Sequence, residues 1–282
     1  MSHKKDNLVV AFQGMPGAYS NMACEVYFPN AKTLPCNSFE DMLNSTKNSF
    51  SDFSMVPVEN SIAGRVADIH HLIPDSGLFI VGEHFQRVNH QLLGLENSNL
   101  ESIESVKSHA QGLAQCRKFI SDHNLSPIQH IDTAGAAEEV SRLGDPKVAA
   151  IASEMASKIY NLKILKNDIE DAEHNTTRFL IMARKPNMPS VEIAKPVTTI
   201  IFEVRSVPAA LYKVLGGFAT NGINLTKLES YIGGKEMSAA RFYVDAEGHP
   251  DTKSMQNALE EMYFYSQPNS VKIIGTYSRE KN

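Results

Sequence analysis

Residues 185–196 read Lys185-Pro186-Asn187-Met188-Pro189-Ser190-Val191-Glu192-Ile193-Ala194-Lys195-Pro196. Three prolines in so short a stretch resist both helix and central strand. The stretch therefore predicts a boundary, with a first domain over residues 1–186, a linker over 187–196 and a second domain over 197–282. The hydrophobic patterns on its two sides differ in kind, and that difference sets the fold class.

Downstream, Val197–Val204 is a strand. A helix follows, with Ser206 as N-cap, Pro208 in the first turn, and Leu211, Val214, Leu215 and Phe218 at the i, i+3, i+4, i+7 spacing of one apolar face. Asn221-Gly222 ends it with residues that tolerate positive φ. Strands are predicted near 224–231 and 237–245, separated by Gly233-Gly234. A second helix carries Met255, Ala258, Leu259 and Met262, and Val271–Ile274 closes the chain as a strand. The order is βαββαβ, a ferredoxin-like module.

Upstream, strands alternate with helices. Leu8–Phe12, Phe53–Val58, Phe79–Val81 and Val148–Ile151 read as buried strands. Helices are predicted over 19–28, from Ser38 onward (a capping box with Asp41 at N3), and at about 65–73, 111–123, 133–143 and 153–160. Such alternation implies α/β architecture, with mostly parallel sheets covered on both faces. Ligands on such sheets bind at the carboxyl ends of strands, where helix N-termini point inward.

Composition narrows the function classes. The chain has 282 residues and a net charge of −5, which argues against a basic nucleic-acid footprint. No apolar run approaches the ~20 residues of a membrane helix, and Leu8–Phe12 is too brief for a secretory core. The expectation is a cytoplasmic protein that engages neither membrane nor nucleic acid. Cys24, Cys36 and Cys116 form no CxxC, and the histidines show no HxxxH or HExxH spacing, so disulfides and zinc have no support.

Five segments at predicted strand-to-helix junctions carry polar chemistry. Gln13-Gly14-Met15-Pro16-Gly17-Ala18-Tyr19-Ser20 allows a tight turn with outward amides, but it is not GxGxxG. Glu59-Asn60-Ser61 directly follows a buried strand, and Asn60 and Ser61 are equally plausible as helix caps. Lys107–Cys116 offers Ser108, a helix cap or a site residue, and Gln115; Cys116 reads as packing. Asp132-Thr133 opens a helix with Thr133 as N-cap. His174-Asn175-Thr176-Thr177-Arg178-Phe179 sets a hydroxyl beside a guanidinium at the mouth of an apolar strand. Such a donor pair can hold an anion and hydrogen-bond a leaving oxygen.

These segments, in this order, resemble the prephenate dehydratase family over about residues 8–277. The resemblance rests on PVENSIAG at 57–64, SHAQGLAQC at 108–116, DTAGAA at 132–137 and NTTRF at 175–179. The module behind them resembles an ACT domain, with GINLTKLES at 222–230. No segment like chorismate mutase precedes the first domain, which is the expectation for the monofunctional form. Three departures stand out. Ala18 replaces the family's frequent Thr or Ser, Ala209 replaces its usual Gly, and Tyr231-Ile232 stands where Arg-Pro follows Glu-Ser.

The resemblance implies a periplasmic-binding-protein-like catalytic domain of two lobes, about 8–85 with 165–185 and 86–164, crossed near Val81–Leu95 and again over 160–178. It implies decarboxylating dehydration of prephenate to phenylpyruvate, without metal or organic cofactor. Thr177, Arg178, Asn60, Ser108 and Gln115 are then the catalytic set: Thr177 assists the departing hydroxyl, Arg178 pairs with carboxylate, and the others complete a neutral donor ring. Ser61, Thr133 and Phe179 adjoin the substrate, and Glu59 orients the donors. Phenylalanine is the expected effector, at Ala209, Ala210, Leu211, Asn224, Leu225, Glu229 and Ser230, in a homodimer or homotetramer. The rival readings are arogenate as substrate, or a non-catalytic amino-acid sensor.

Overall fold

The computed structural model describes residues 7–233 and 239–280. Its strands in chain order are β1 (Val9–Gln13), β2 (Lys32–Cys36), β3 (Phe53–Asn60), β4 (Gly64–Arg65), β5 (Phe79–Arg87), β6 (Gln91–Gly94), β7 (Ser105–His109), β8 (Ser126–His130), β9 (Val148–Ala152), β10 (Lys163–Lys166), β11 (Thr176–Ala183), β12 (Pro196–Glu203), β13 (Leu225–Gly233), β14 (Ala239–Glu247) and β15 (Lys272–Ser278). Its helices are α1 (Tyr19–Tyr27), α2 (Phe39–Lys47), α3 (Ala67–Leu72), α4 (Ala110–Gln115), α5 (Arg117–Asp122), α6 (Thr133–Leu143), α7 (Glu154–Ile159), α8 (Ala210–Thr220) and α9 (Lys253–Tyr265). Among the described residues, no helix is long and apolar enough to cross a membrane.

The compact units do not follow the linear division at residues 187–196. One comprises the chain up to Ile69 with His84–Phe179; the other comprises His70–Glu83 with everything from Leu180 onward. Two strands cause this, because β5 and β11 each carry the chain from one unit into the other.

The first unit contains two sheets. In one lobe β11, β3, β1 and β2 lie side by side in that order, with β1 parallel to both β2 and β3. In the other the order is β10-β6-β9-β7-β8, where β7 runs parallel to β8 and β9 while β6 and β10 run antiparallel. Apolar residues cover both faces of this second sheet: Val106, Ile151 and Cys116 on one, Ala136, Ala137, Val140 and Ala150 on the other. β2 and β8, absent from the sequence reading, each carry a proline and sit at sheet edges, where a missing N–H costs no ladder bond.

Two further expectations change. The helix expected over 111–123 breaks at Cys116, whose φ of −122° and ψ of 25° separate α4 from α5. Residues 65–73 divide into the end of β4, which pairs with β3, and α3.

The chain crosses between the lobes twice, and the crossings are tied together. Val88 N donates to Asn175 O (2.8 Å), Ile169 N to His90 O (2.9 Å) and His90 N to Glu170 Oε2 (2.8 Å).

The second unit is the expected βαββαβ module, with sheet order β13-β14-β12-β15 and β5 added beside β15. Ile200, Phe202, Val244 and Ala246 pack against Val214, Phe218, Met255 and Met262 of α8 and α9. Ser206 does not cap α8. The helix begins at Ala210, and its N-cap Ala209 takes a left-handed conformation with φ of 61°. Gly234 and residues 237–238, expected in the turn and next strand, lie outside the described residues.

Candidate active site

A cavity of about 330 Å³ opens in the first unit, walled by both of its lobes. Thr177 and Phe179 both line it, as residues two apart on a strand must share a face. The same alternation corrects the expected Thr-Arg pair. Arg178 is not among the lining residues; it is 7% exposed, on the other face of β11. No lysine or arginine lines the cavity among the described residues.

Asn60, at the end of β3, is fixed by its own turn. Its Oδ1 accepts from the backbone amides of Ile62 (3.0 Å) and Ala63 (2.8 Å), so its Nδ2 must face the opposite way. Nδ2 donates to Asn175 Oδ1 (2.8 Å) and to Thr177 Oγ1 (3.0 Å). Because its oxygen accepts the Asn60 N–H hydrogen bond, the Thr177 hydroxyl keeps its own proton for the cavity that it lines. Asn175, oriented by Asn60, donates from Nδ2 to Gln115 Oε1 (2.9 Å) in the other lobe. His90 Nε2 reaches the same oxygen at 2.8 Å. Gln115 therefore presents Nε2, a donor, to the cavity that it lines.

Ser108 is excluded from the wall. It is fully buried, and its hydroxyl donates to Ile151 O (2.6 Å) within the sheet. A Cβ on Gly112 would meet Ser108 Oγ at 2.7 Å, so glycine there makes room for that bond. Ser61 lies outside the cavity as well. Its hydroxyl donates to His174 O (2.9 Å) and accepts from Thr176 N (3.0 Å), clasping the segment that leads into Thr177. Glu59 is not on the wall but sits opposite Arg65 in the β3–β4 register. No helix starts after Asn60, since residues 61–63 turn straight back into β4. Thr133 lines the cavity, but the N-cap of α6 is Asp132, which accepts from Gly135 N at 2.6 Å.

At α1 the alanine in place of Thr or Ser has a visible consequence. Its N-cap Ala18 gives no side-chain cap and its first turn holds no acid, so the positive end of the α1 dipole beside the cavity is not offset by a side chain of its own first turn. Sequence reasoning missed Asn175, Tyr19 and His90 as site residues; Tyr19 and His90 both line the cavity. Asn175 stood inside a quoted motif, yet only its two amide bonds reveal its part.

In the second unit, Ala210 is buried and Leu211 packs on the core. Asn224 Nδ2 donates to Glu247 Oε2 (3.1 Å), Leu225 pairs with Ala246 and Ser230 with Phe242, and Glu229 lies 3.7 Å from Lys227 Nζ.

A two-lobed α/β domain with orientation-fixed neutral donors in its cleft, followed by a ferredoxin-like module, defines the class of this protein. Comparison with known proteins supplies the family. The prephenate dehydratase model matches residues 10–187. A bifunctional N-acyl-homoserine lactone acylase/prephenate dehydratase of Komagataeibacter europaeus is 45% identical, over 95% of both chains. Arogenate dehydratase/prephenate dehydratase 1 of Arabidopsis thaliana is 36% identical over 95% of this chain and 71% of its own. The solved prephenate dehydratase of Arthrobacter aurescens, in complex with L-Phe, superposes with a TM-score of 0.88 at 26% identity, covering 96% and 90% of the two chains. The chain belongs to the prephenate dehydratase family and is an enzyme, a carbon–oxygen lyase.

Proposed function

We propose that the enzyme converts prephenate to phenylpyruvate within L-phenylalanine biosynthesis, using the Asn60–Thr177 pair as its donor to the leaving hydroxyl. The observation that carries this reading is the polarity of that pair, with Asn60 giving to Thr177 Oγ1 and Thr177 free to give to the substrate. In the reaction the ring carboxylate leaves as carbon dioxide. Its C–C electron pair moves into the ring, and the ring C–O bond breaks. The departing hydroxide takes one proton and becomes water. The N–H of Asn60 favours developing negative charge on the Thr177 oxygen, which makes a weak acid stronger. A positioned acid contributes ~10²–10⁴ in rate, and one preorganised donor ~10²–10³. With Arg178 turned away, substrate carboxylates meet the N-terminal end of α1 and the Gln115 amide.

The second unit reads as an ACT-type regulatory module for phenylalanine, in a homodimer or homotetramer. The L-Phe complex of the Arthrobacter relative supports the effector. Two relatives' names supply the alternatives to test: arogenate as substrate, and amide hydrolysis of an N-acyl-homoserine lactone. Purified protein is offered prephenate, arogenate and the lactone separately. Phenylpyruvate formed from prephenate at the highest kcat/KM supports the reading; faster turnover of either other compound overturns it. Titration with phenylalanine, following rate and oligomer size together, tests regulation, and no response in either discards it.

A further inference from the structure

We propose that His109 is a substrate-binding residue of this site, which caps α4 with one ring nitrogen and donates from the other to the carboxylate that the product keeps. The assignment rests on the reading of the cavity as the active site and goes beyond it by naming the end of the cavity that holds the side chain of the substrate.

His109 is the last residue of β7, and its partly buried ring lines the cavity. Its Nδ1 accepts from Gln111 N across 3.2 Å, which is the N-cap bond of α4. A backbone amide can only donate, so Nδ1 is the bare nitrogen, and in a neutral imidazole the proton then sits on Nε2. Nε2 has no hydrogen-bond partner among the described residues. His109 is therefore a donor on the wall and not a general base. That suits it to hold an anion rather than to remove a proton.

The position of His109 along the cavity decides which anion. Gln115, six positions later at the end of α4, is tied through Asn175 and Asn60 to Thr177, the donor to the leaving hydroxyl. At 1.5 Å of rise per residue, His109 lies roughly 9 Å further along the helix from that cluster. Prephenate has the same polarity, with its hydroxyl on one ring carbon and both carboxylate groups attached across the ring from it. Seated with the hydroxyl at Thr177, it presents its carboxylates toward His109. Lys107, two residues earlier, is committed to Glu139 at 3.0 Å, and Asp132 on the same wall can only accept. Of the two carboxylates, one leaves as carbon dioxide and the other stays on the side chain in phenylpyruvate. A bond to the second is the same before and during the reaction, so its loss belongs to KM and not to kcat.

Two substitutions separate the cap from the binding role. Asparagine is a good N-cap whose amide extends about as far as Nδ1, whereas the glutamine amide extends to the place of Nε2 and caps poorly. His109→Asn should keep the melting midpoint and kcat but raise KM for prephenate, and weaken phenylpyruvate binding in calorimetry, about ten- to a hundredfold, the equivalent of one hydrogen bond to a charged group. His109→Gln should do the reverse, lowering the melting midpoint while leaving KM and phenylpyruvate affinity near those of the unmodified enzyme. Unchanged KM and affinity in His109→Asn, or equal losses of binding in both variants, overturns the proposal, and so does an unmodified enzyme that binds no phenylpyruvate. If the unmodified enzyme binds phenylpyruvate but does not turn over prephenate, the functional reading fails on its own, and the affinities of the two variants still decide the role of His109.

Discussion

Asn60 Nδ2 donates to Thr177 Oγ1 across 3.0 Å, and the direction of that bond leaves the threonine proton pointing elsewhere. Thr177 lines the cavity, so that proton is available to a substrate bound there. Thr177→Ala should lower kcat by ~10²–10⁴ with a much smaller change in KM, since the lost interaction belongs to the transition state. Thr177→Ser keeps the hydroxyl and should recover most of the rate. Equal turnover by Thr177→Ala in steady-state assays removes the threonine from its role.

Asn60→Asp is nearly isosteric and reverses the polarity of one group alone. The Ile62 and Ala63 amides still find an oxygen, but Asn175 Oδ1 and Thr177 Oγ1 then face another acceptor. The expected result is a loss on the order of 10²–10³ in kcat. Asn175→Asp should repeat it, because it breaks the same chain at the next link. A double variant losing far less than the product of the two single losses would show that the residues act as one unit.

The sequence specified the second unit well, because α8 and α9 carry complete apolar faces and alternate residues of the strands, Ile200 and Phe202 or Phe242, Val244 and Ala246, pack against them. It specified α6 to the residue but misplaced its cap, since Asp132 and Thr133 are both good capping residues and only geometry chooses between them. The site was half legible. Asn60, Gln115 and Thr177 stood in recognisable motifs. Arg178 was misplaced because strand alternation sends neighbours to opposite faces, a rule local to β11 that a side-by-side reading ignored. His90 gave no local signal at all, for its ring contacts lie 25 and 71 positions away in the chain.

Gly17 holds the β1–α1 turn against the other lobe. Its φ is +88°, and an added Cβ would stand 2.9 Å from Ala156 Cα. Its carbonyl accepts from Ser153 Oγ, and Tyr160 Oη donates to Pro16 O beside it. Gly144 offers a matched control, with φ of +68° and open space around it. Gly144→Ala should cost about 1 kcal/mol from backbone strain alone, while Gly17→Ala should cost about 2–3 kcal/mol from strain plus the clash. Denaturant midpoints of the two variants measure the difference, and KM should rise only in Gly17→Ala.

Stability should depend on His90 below neutrality. Burial holds its folded-state pKa under 6.5, so in acid the unfolded chain binds a proton that the folded chain refuses. That contribution is complete above about pH 6.5 and is lost as pH falls toward the folded-state value. Glu170 and Tyr19 are titratable groups that face the ring. His90→Gln should flatten the fall of the melting midpoint between pH 6.5 and pH 5, about the range over which histidine charges. An unchanged slope in calorimetry would place the acid sensitivity on other groups.

Ala209 initiates α8 with φ of +61°, a conformation that costs an L-residue ~1–2 kcal/mol relative to glycine. Glycine loses ~0.5–1 kcal/mol of that advantage to its larger unfolded-state entropy. Ala209→Gly should therefore stabilise the second unit by about 0.5 kcal/mol. One position later the sign reverses. Ala210 is helical and buried, so Ala210→Gly should destabilise by about 1 kcal/mol. Opposite shifts from the same substitution at adjacent residues would tie both effects to backbone conformation; shifts of like sign would refute the left-handed start of α8.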